Sequence, residues 1–371
     1  MLLRVLPRTL GWEGALQMCA PDERRGVTGR RSTAHVRADE TGSRCSSWRE
    51  EAFQCMAERD WDSVTGALAA AVGGASLPSE SSDGAPLSLP PPQPDWKDRR
   101  HTWALKVAYY GPAFASFSWQ AEAPLDTVIG CIQLALQPLL ASQRPRVSSA
   151  GRTDAGVSAL GQVVTFSTFE DLDEGALQAA IDAIRPGRLR LLSACKVPRD
   201  FHATFSARWR RYVYLLPLTA EDPDDLVMIS PYDAFRDTQD IQSCASLHSQ
   251  LHLLNMQLAP LKGIPRDYSS LARGLPKGKN TMCTLLRARA YNSMVDGGCK
   301  LACVELVGDR FLRRQVRTLV ATALYLATSN TAGEAMLLER AASGDQRLTA
   351  HPAPPYGLYF AEVGYSPWLE N

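Results

Sequence analysis

From Trp103 onward, the apolar residues change repeatedly between strand-like and helix-like spacing. Runs of β-branched and aromatic residues, such as Gln162–Phe166, indicate strands, and apolar residues three or four positions apart, as in Thr127–Leu140, indicate helices. Two strand-helix-strand halves of mixed order predict an α+β fold. The predicted strands are Ala104–Tyr109, Gln162–Phe166, Arg188–Lys196, Arg211–Leu216, Leu285–Asn292, Lys300–Leu306 and Gly357–Val363, and the predicted helices are Thr127–Leu140, Glu174–Ile184, Ile241–Leu254, Phe311–Thr328 and Gly333–Ser343.

The composition is that of a globular enzyme with one or two domains. The 371 residues are 45% hydrophobic and 21% charged, with a formal net charge of +1. No run approaches the roughly 18 consecutive apolar residues of a membrane span, so no membrane association is expected. The nine cysteines are scattered without paired metal-ligand spacing. Free thiols and no bound metal are therefore expected.

The segment Gly151-Arg152-Thr153-Asp154-Ala155-Gly156-Val157 places one carboxylate in a turn between two apolar runs. The glycines allow the backbone to come close to a ligand. A guanidinium beside a carboxylate favours the ionised form, so Asp154 is expected to be charged at neutral pH, with Arg152 beside it. An isolated Arg-x-Asp is more often a surface turn whose carboxylate binds its own backbone. The wider sequence has to decide between such a turn and a functional loop.

The whole run closely resembles the catalytic motif of the TruA-type tRNA pseudouridine synthases, Gly-Arg-Thr-Asp-Ala-Gly-Val-His. This chain matches seven of the eight places and has Ser158 in place of the histidine. Further matches follow in the family's order. They are Leu105–Gly111 with Ser118-Trp119-Gln120, Asp200–Ala207, Arg210–Tyr214, Phe311–Arg317 and Tyr356–Phe360. The resemblance covers roughly residues 102 to 365.

This resemblance implies two ferredoxin-like α/β halves that form one mixed, largely antiparallel sheet with a central active-site cleft. It divides the chain into an N-terminal extension at 1–100, a catalytic half at 101–220 that carries Asp154, and a half at 221–371 that completes the cleft. The implied reaction isomerises uridine to pseudouridine in the anticodon arm of tRNA, without a cofactor. The target base must be flipped out of its stack. The resemblance also implies a homodimer, with a monomer as the alternative.

The resemblance also assigns the site residues. Asp154 is the catalytic carboxylate, Tyr212 packs on the base, and Arg317 pairs with the carboxylate from the second half. The predicted RNA contacts are Arg152, His202, Arg210 and Arg211. The last two belong to a basic cluster between Arg185 and Tyr212. Such a cluster beside a catalytic loop indicates phosphate contacts with a structured RNA, although most charge runs are solvated faces.

The first hundred residues have a different character. Arginines mixed with serine and threonine follow an apolar start, as in an organellar presequence, although Asp22, Glu23, Asp39 and Glu40 dilute the pattern. The stretch from Gly73 to Pro94 is rich in Gly, Ser and Pro and predicts a disordered linker. A mitochondrial or chloroplast location is expected, with the nucleus or cytoplasm as the alternative.

Two other functions fit the sequence. Loss of catalysis, leaving a tRNA-binding or tRNA-folding protein, would explain several departures from the family motifs. These departures are Tyr110, Ser118, Ile129 and Ser158. A pseudouridine synthase acting on a non-tRNA RNA would explain the altered turns. The retention of Asp154, Arg152, Tyr212 and Arg317 favours the active enzyme.

Overall fold

The computed structural model describes residues 100–140, 145–219, 227–228, 247–295, 299–328 and 335–367. The predicted organellar presequence and the predicted linker lie outside these residues. So does the stretch 50–72, whose sequence favours an amphipathic helix. Within the described part of the chain, no helix is long and apolar enough to span a membrane.

The described chain contains eleven strands and five α-helices. The strands are β1 (His101–Tyr109), β2 (Ser148–Ser149), β3 (Ser158–Thr168), β4 (Leu189–Val197), β5 (Trp209–Thr219), β6 (Val227–Met228), β7 (Arg266–Asp267), β8 (Met282–Cys283), β9 (Leu285–Val295), β10 (Cys299–Gly308) and β11 (Leu358–Gly364). The helices are α1 (Val128–Leu136), α2 (Glu174–Ile184), α3 (Leu247–Leu258), α4 (Gln315–Thr328) and α5 (Met336–Ala342).

One large sheet has the strand order β4-β1-β3-β11-β5-β10-β9, and β2 pairs with β3 beside this path. The first unit runs β1-α1-β2-β3-α2-β4 and has the order β4-β1-β3-β2. The second runs β5-α3-β9-β10-α4-β11 and has the order β11-β5-β10-β9. Both are the ferredoxin-like βαββαβ arrangement, with the strand order 4-1-3-2. The predicted α+β fold with a large, mostly antiparallel sheet is confirmed.

The two units meet where β3 pairs with β11. This pairing is parallel and only two residues long, joining Tyr359 to Ser158 and Phe360 to Ala159, while the other pairings within the sheet that the structure describes are antiparallel. Strand β5 forms the first strand of the second unit, between β11 and β10. The strand order therefore divides the chain before Trp209, whereas the sequence predicted a division at 220.

Helix ends follow local chemistry. The side chain of Asp173 accepts a hydrogen bond from the N–H of Ala176 and caps α2, which has the predicted bounds. Helix α1 gives way at Gln137 to a 3₁₀ turn containing Pro138, so it is shorter than predicted. Helix α4 begins at Gln315, four residues later than predicted. The preceding Arg314 has a φ of +60°, outside the right-handed helical region.

The sheet separates two groups of buried side chains. Helix α1 packs on α2 and α3 packs on α4. These helices and one face of the sheet enclose the main core, to which β5 contributes Tyr212, Tyr214 and Leu216. Because side chains alternate along a strand, the intervening Val213 and Leu215 lie on the opposite face, in a small second cluster with Cys303 and Tyr359.

Four cysteines of the described part of the chain are free thiols. Cys131, Cys283 and Cys303 are buried and Cys195 is partly exposed. Burial raises the pKa of the Cys283 and Cys303 thiols to about 12 and that of Cys195 to about 11. These thiols are therefore protonated at neutral pH.

Candidate active site

The loop that carries Asp154 leaves the sheet at the junction of the two units. Strand β2 pairs with one end of β3, where Ser149 lies opposite Val164. The other end of the same edge of β3 is occupied by β11. The chain between β2 and β3 therefore spans the point where the second unit begins. This topology brings a loop of the first unit against strands and helices of the second.

Hydrogen bonds fix the chain that leads to Asp154. The Thr153 hydroxyl lies 2.8 Å from the hydroxyl of the buried Tyr109. The Gln162 side chain donates to the carbonyl of Gly151 at 2.7 Å. Gln162 is a fully buried polar residue in an apolar strand, and this bond satisfies its amide N–H. The backbone of the loop is thus held before any ligand arrives.

Ser158 ties the loop to the turn after β1. Its hydroxyl accepts the backbone N–H of Gly111 at 3.0 Å, and the serine is 1% exposed. A Cβ on Gly111 would lie 2.3 Å from the carbonyl carbon of Val157, so only glycine fits there. The family histidine is thus replaced by a residue that makes a structural hydrogen bond.

Asp154 and Arg317 form an ion pair between the two units. Arg317 Nη1 donates to Asp154 Oδ2 at 2.8 Å, and the side chains are 13% and 26% exposed, respectively. Arg317 Nε also donates to the carbonyl of Ala353 at 2.6 Å. These two hydrogen bonds fix the direction of the guanidinium. The partly exposed carboxylate faces a fixed cation and is open to a ligand.

The position of Arg317 in its helix supports a functional role. It lies in the first turn of α4, where the helix dipole disfavours a cation by roughly 0.3–1 kcal/mol. The Asp154 carboxylate offsets this cost. The first turn of α4 contains no acidic residue that could offset the charge of Arg317. The partner of Arg317 is Asp154 in the other unit, and this pairing explains an arginine at the helix start.

Tyr212 lies beneath the loop among aromatic rings. Its ring makes edge contacts with Phe311 and Phe360, with centroids 5.0 and 5.1 Å away. Its hydroxyl is 3.7 Å from the position of a Cβ on Gly151. Burial raises the Tyr212 pKa, and the charge of Asp154 raises it further, so the side chain is a neutral phenol. The structure thus brings Asp154, Arg317 and Tyr212 to one place. The catalytic roles assigned to them from the sequence stay a prediction.

The described structure shows no ion pair between Arg152 and Asp154, which the sequence placed side by side, and Asp154 pairs with Arg317 instead. Arg152 is exposed, and its Nε donates to the Ser118 hydroxyl at 3.0 Å. Ser118 stands where the family usually has glycine, so this contact depends on a departure from the motif. The exposed guanidinium lies at the edge of the site, and its predicted contact with RNA stays a prediction.

Arg210 is used inside the protein. Its five N–H groups all donate to main-chain carbonyls, those of Ala150, Ala207, Thr204 and Asp309. Burial lowers the pKa of this guanidinium. The predicted phosphate contact does not fit this geometry because no donor remains for a phosphate. Arg210 instead joins the strand that precedes Asp154 to two neighbouring loops.

Arg211 lies on the opposite face of the sheet from Tyr212, as strand alternation requires. Its Nε is 2.6 Å from Oε1 of Glu305, which is 0% exposed, and its own side chain is 7% exposed. Arg289 Nε lies 2.5 Å from the other carboxylate oxygen of Glu305. A phosphate contact by Arg211 does not fit this buried ion pair, so the sequence-based assignment is corrected to a structural one.

His202 is held within the loop between β4 and β5. Its Nδ1 accepts the N–H groups of Thr204 and Phe205 at 3.1 and 3.4 Å. The ring packs on that of Phe205. The predicted contact between His202 and RNA stays a prediction.

Sequence reasoning missed the residues that support the site. Tyr109, Gln162 and Phe360 hold the loop or enclose Tyr212. A signal existed for Gln162, a polar residue inside the apolar run Gln162–Phe166. No comparable signal pointed to Phe360, because an aromatic residue in a strand most often belongs to the core.

Comparison with known proteins agrees with this geometry. Residues 265–366 match the profile of a family described as tRNA pseudouridine synthase. The chain is 30% identical over 275 residues to tRNA pseudouridine synthase A of Chloroflexus aurantiacus, covering 72% of this chain and 90% of that protein. The enzymes of the same name from Cutibacterium acnes and Pseudothermotoga lettingae are also 30% identical. They are covered over 88% and 97% of their lengths and match 71% and 70% of this chain.

The chain belongs to the tRNA pseudouridine synthase A family.

Proposed function

We propose that this enzyme isomerises uridine to pseudouridine in tRNA, at a target in the anticodon arm. The observation that carries the proposal is the ion pair between Asp154 and Arg317, with Tyr212 beneath it. The pair holds a charged, partly exposed carboxylate at the junction of two units. A nucleophile or an ion-pair partner for a reacting sugar needs this arrangement.

The reaction is an isomerisation in which electrons are neither gained nor lost. The bond between uracil N1 and ribose C1′ breaks, the base turns, and a bond forms between C5 and C1′. The proton on C5 is released to solvent and N1 takes up a proton. Asp154 either attacks a carbon of the nucleotide or stabilises the charge that develops on the sugar. A neutral Tyr212 provides an apolar ring face against the base and does not compete as an anion.

The target uridine has to leave its stack to reach Asp154. Unstacking costs a few kcal/mol, which contacts with the protein must offset. Arg152 is exposed at the edge of the site, and hydrogen bonds fix the chain on both sides of it, at Gly151, Thr153 and Ser158. We assign to Arg152 one of two roles. It contacts the RNA backbone, or its side chain occupies the space that the flipped base leaves.

Release of tritium from tRNA labelled at uridine C5 tests the chemistry. Wild type should release tritium, whereas Asp154→Asn should bind tRNA normally and release none. Asp345→Asn is the matched control, since this carboxylate pairs with an exposed arginine outside the site. Tight binding without release by the wild type would favour the rival function, a tRNA-binding protein without catalysis. Release only from another RNA would place the substrate outside tRNA.

Two further properties belong to this proposal. We propose that two copies of the chain form a dimer that binds tRNA, which light scattering with and without tRNA can test against a monomer. We also propose delivery to the mitochondrion or the chloroplast by the first hundred residues. A fluorescent protein fused after residue 100 should enter the organelle, and nuclear or cytoplasmic fluorescence would contradict this.

A further inference from the structure

The loop between β4 and β5 contains two phenylalanines with opposite environments. Phe201 packs on Tyr365, with ring centroids 4.7 Å apart, and adjoins the main core. Phe205 is 84% exposed. Hydrophobic burial would favour turning the second ring inward as well. The exposed ring of Phe205 is therefore available for contact with a ligand.

The exposed ring is held in place by its neighbours. The Phe205 ring packs on His202 with centroids 4.4 Å apart and an angle of 35° between the planes. The His202 ring is itself fixed, because its Nδ1 accepts two backbone N–H groups of this loop. Within the same loop, the N–H of Ser206 donates a hydrogen bond to the carbonyl of His202 at 2.9 Å. An aromatic face that is fixed in advance loses little entropy when another ring stacks on it.

The loop is also joined to the chain that leads to Asp154. The Thr204 hydroxyl donates to the carbonyl of Ser149 at 2.5 Å. Arg210 Nη2 donates to the carbonyls of Thr204 and Ala150. Asp154 follows Ser149 by five positions, a stretch of chain that spans at most about 18 Å. Phe205 therefore lies at the edge of the site, close enough for one RNA to reach both.

The surroundings favour a nucleic acid. Arg199 and Arg208 are exposed on either side of this loop, and Arg152 is exposed on the neighbouring one. Aromatic faces next to such cations are how proteins hold unpaired bases of RNA, by stacking on the base while the cations contact phosphate.

We propose that Phe205, supported by His202, is a stacking platform for an unpaired base of the RNA substrate near the target uridine. The inference rests on the proposed action on RNA and adds a residue that determines binding. Stacking on the platform holds the RNA strand after the target base has left its stack. Phe205 does not touch the reacting atoms, so it contributes to substrate affinity and leaves the chemical step unchanged.

The test compares Phe205→Ala, Phe205→Leu and Phe205→Trp with wild type. Phe169→Ala is the matched control, since Phe169 is 76% exposed and follows β3 at the end of that strand away from Ser158. Binding of an unmodified tRNA transcript is measured at several salt concentrations. Tritium release is measured in single turnovers with saturating enzyme, and thermal unfolding checks each fold.

Phe205→Ala should weaken tRNA binding by about tenfold to a hundredfold, the loss expected for one stacked base. The dependence of binding on salt should not change, because no charge is removed. Phe205→Trp should bind like wild type and Phe205→Leu should fall between. The saturated single-turnover rate should stay within about twofold of wild type in all of them.

Three results would overturn the platform. They are unchanged binding by Phe205→Ala, equal binding by the Leu and Trp variants, and an equal loss in Phe169→Ala. If wild type released no tritium while Phe205→Ala still weakened binding, the proposed reaction would fail and the platform would stand. The two conclusions can therefore be separated.

Discussion

Asp154 and Arg317 are 163 residues apart in the chain, yet Arg317 Nη1 lies 2.8 Å from Asp154 Oδ2. The first residue belongs to the β2–β3 loop of one ferredoxin-like unit and the second to the first turn of α4 in the other. Their contact makes the two units parts of one site.

Replacing Arg317 with lysine should slow the chemical step by about a hundredfold or more. Lysine keeps the charge, but it cannot hold both Asp154 and the Ala353 carbonyl in the arginine geometry, and displacement of a reacting group by about 1 Å can cost this factor. Single-turnover tritium release measures the rate. Arg340→Lys is the control. Arg340 belongs to α5, lies over the ring of Tyr325 on α4 and donates to the carbonyl of Leu348. An unchanged rate in Arg317→Lys would contradict the assigned role.

Removing the Arg211 side chain should destabilise the fold without changing the salt dependence of tRNA binding. Arg211→Met leaves the fully buried Glu305 with one close partner fewer, and Arg289 still pairs with it. We expect the free energy of unfolding to fall by about 3 kcal/mol, the lower end for a broken buried pair. Urea unfolding measures the loss. Arg347→Met, which breaks an exposed pair, should change little. A flatter salt dependence in Arg211→Met would restore the phosphate assignment.

Stability should fall as the pH rises above about 8.5, because an unfolded thiol ionises there and these buried thiols do not. Burial raises the Cys283 and Cys303 pKa to about 12, so the folded state keeps protons that the unfolded state loses. The contribution is complete below about pH 8.5 and is lost between there and about pH 12. Within this window, each of the two thiols should lower the free energy of unfolding by about 1.4 kcal/mol per pH unit.

Urea unfolding between pH 7 and 10 measures this slope. A variant with Cys283→Ala and Cys303→Ala should be less stable at pH 7 but should lose stability more slowly above pH 8.5. Equal slopes in the two proteins would show that other groups dominate.

Ser158→Ala should loosen the catalytic loop. The change leaves the Gly111 N–H buried without its acceptor, which should cost about 1–3 kcal/mol of unfolding free energy. The single-turnover rate should also fall, because the same bond holds the backbone next to Val157. Ser167→Ala is the control, since its hydroxyl shares a part-buried bond with Thr102. Equal stability and equal rate in Ser158→Ala and wild type would show that the hydrogen bond between Gly111 and Ser158 does not support the site.

The sequence predicted most of the elements because their ends are encoded locally. Helix α2 has the predicted bounds, since Asp173 caps it and Pro186 follows it. The start of α4 could not be predicted in this way. Its boundary is set by the positive φ of Arg314, and the residue type gives no sign of that conformation.

Sequence patterns point to the parts of the site that lie within one local motif. They fail for Arg210 and Arg211, whose environments depend on contacts between distant segments of the chain. Asp154 follows from its loop, and Arg317 was implied by the resemblance. The alternation rule places Arg211 and Tyr212 on opposite faces, but the register that sets Arg211 beside Glu305 is a property of the whole sheet. The carbonyls that accept from Arg210 come from three segments of the chain, and no sequence pattern joins these segments.

Strand β11 follows every other described strand in the chain, yet it lies in the middle of the sheet between β3 and β5. During synthesis the ribosome delivers both neighbours of β11 long before Leu358–Gly364 appear. Until then, two strand edges at the centre stay unpaired, and Tyr212 lacks the ring of Phe360. A growing chain therefore carries Asp154, Tyr212 and Arg317 before it carries the strand that joins the two units of the sheet.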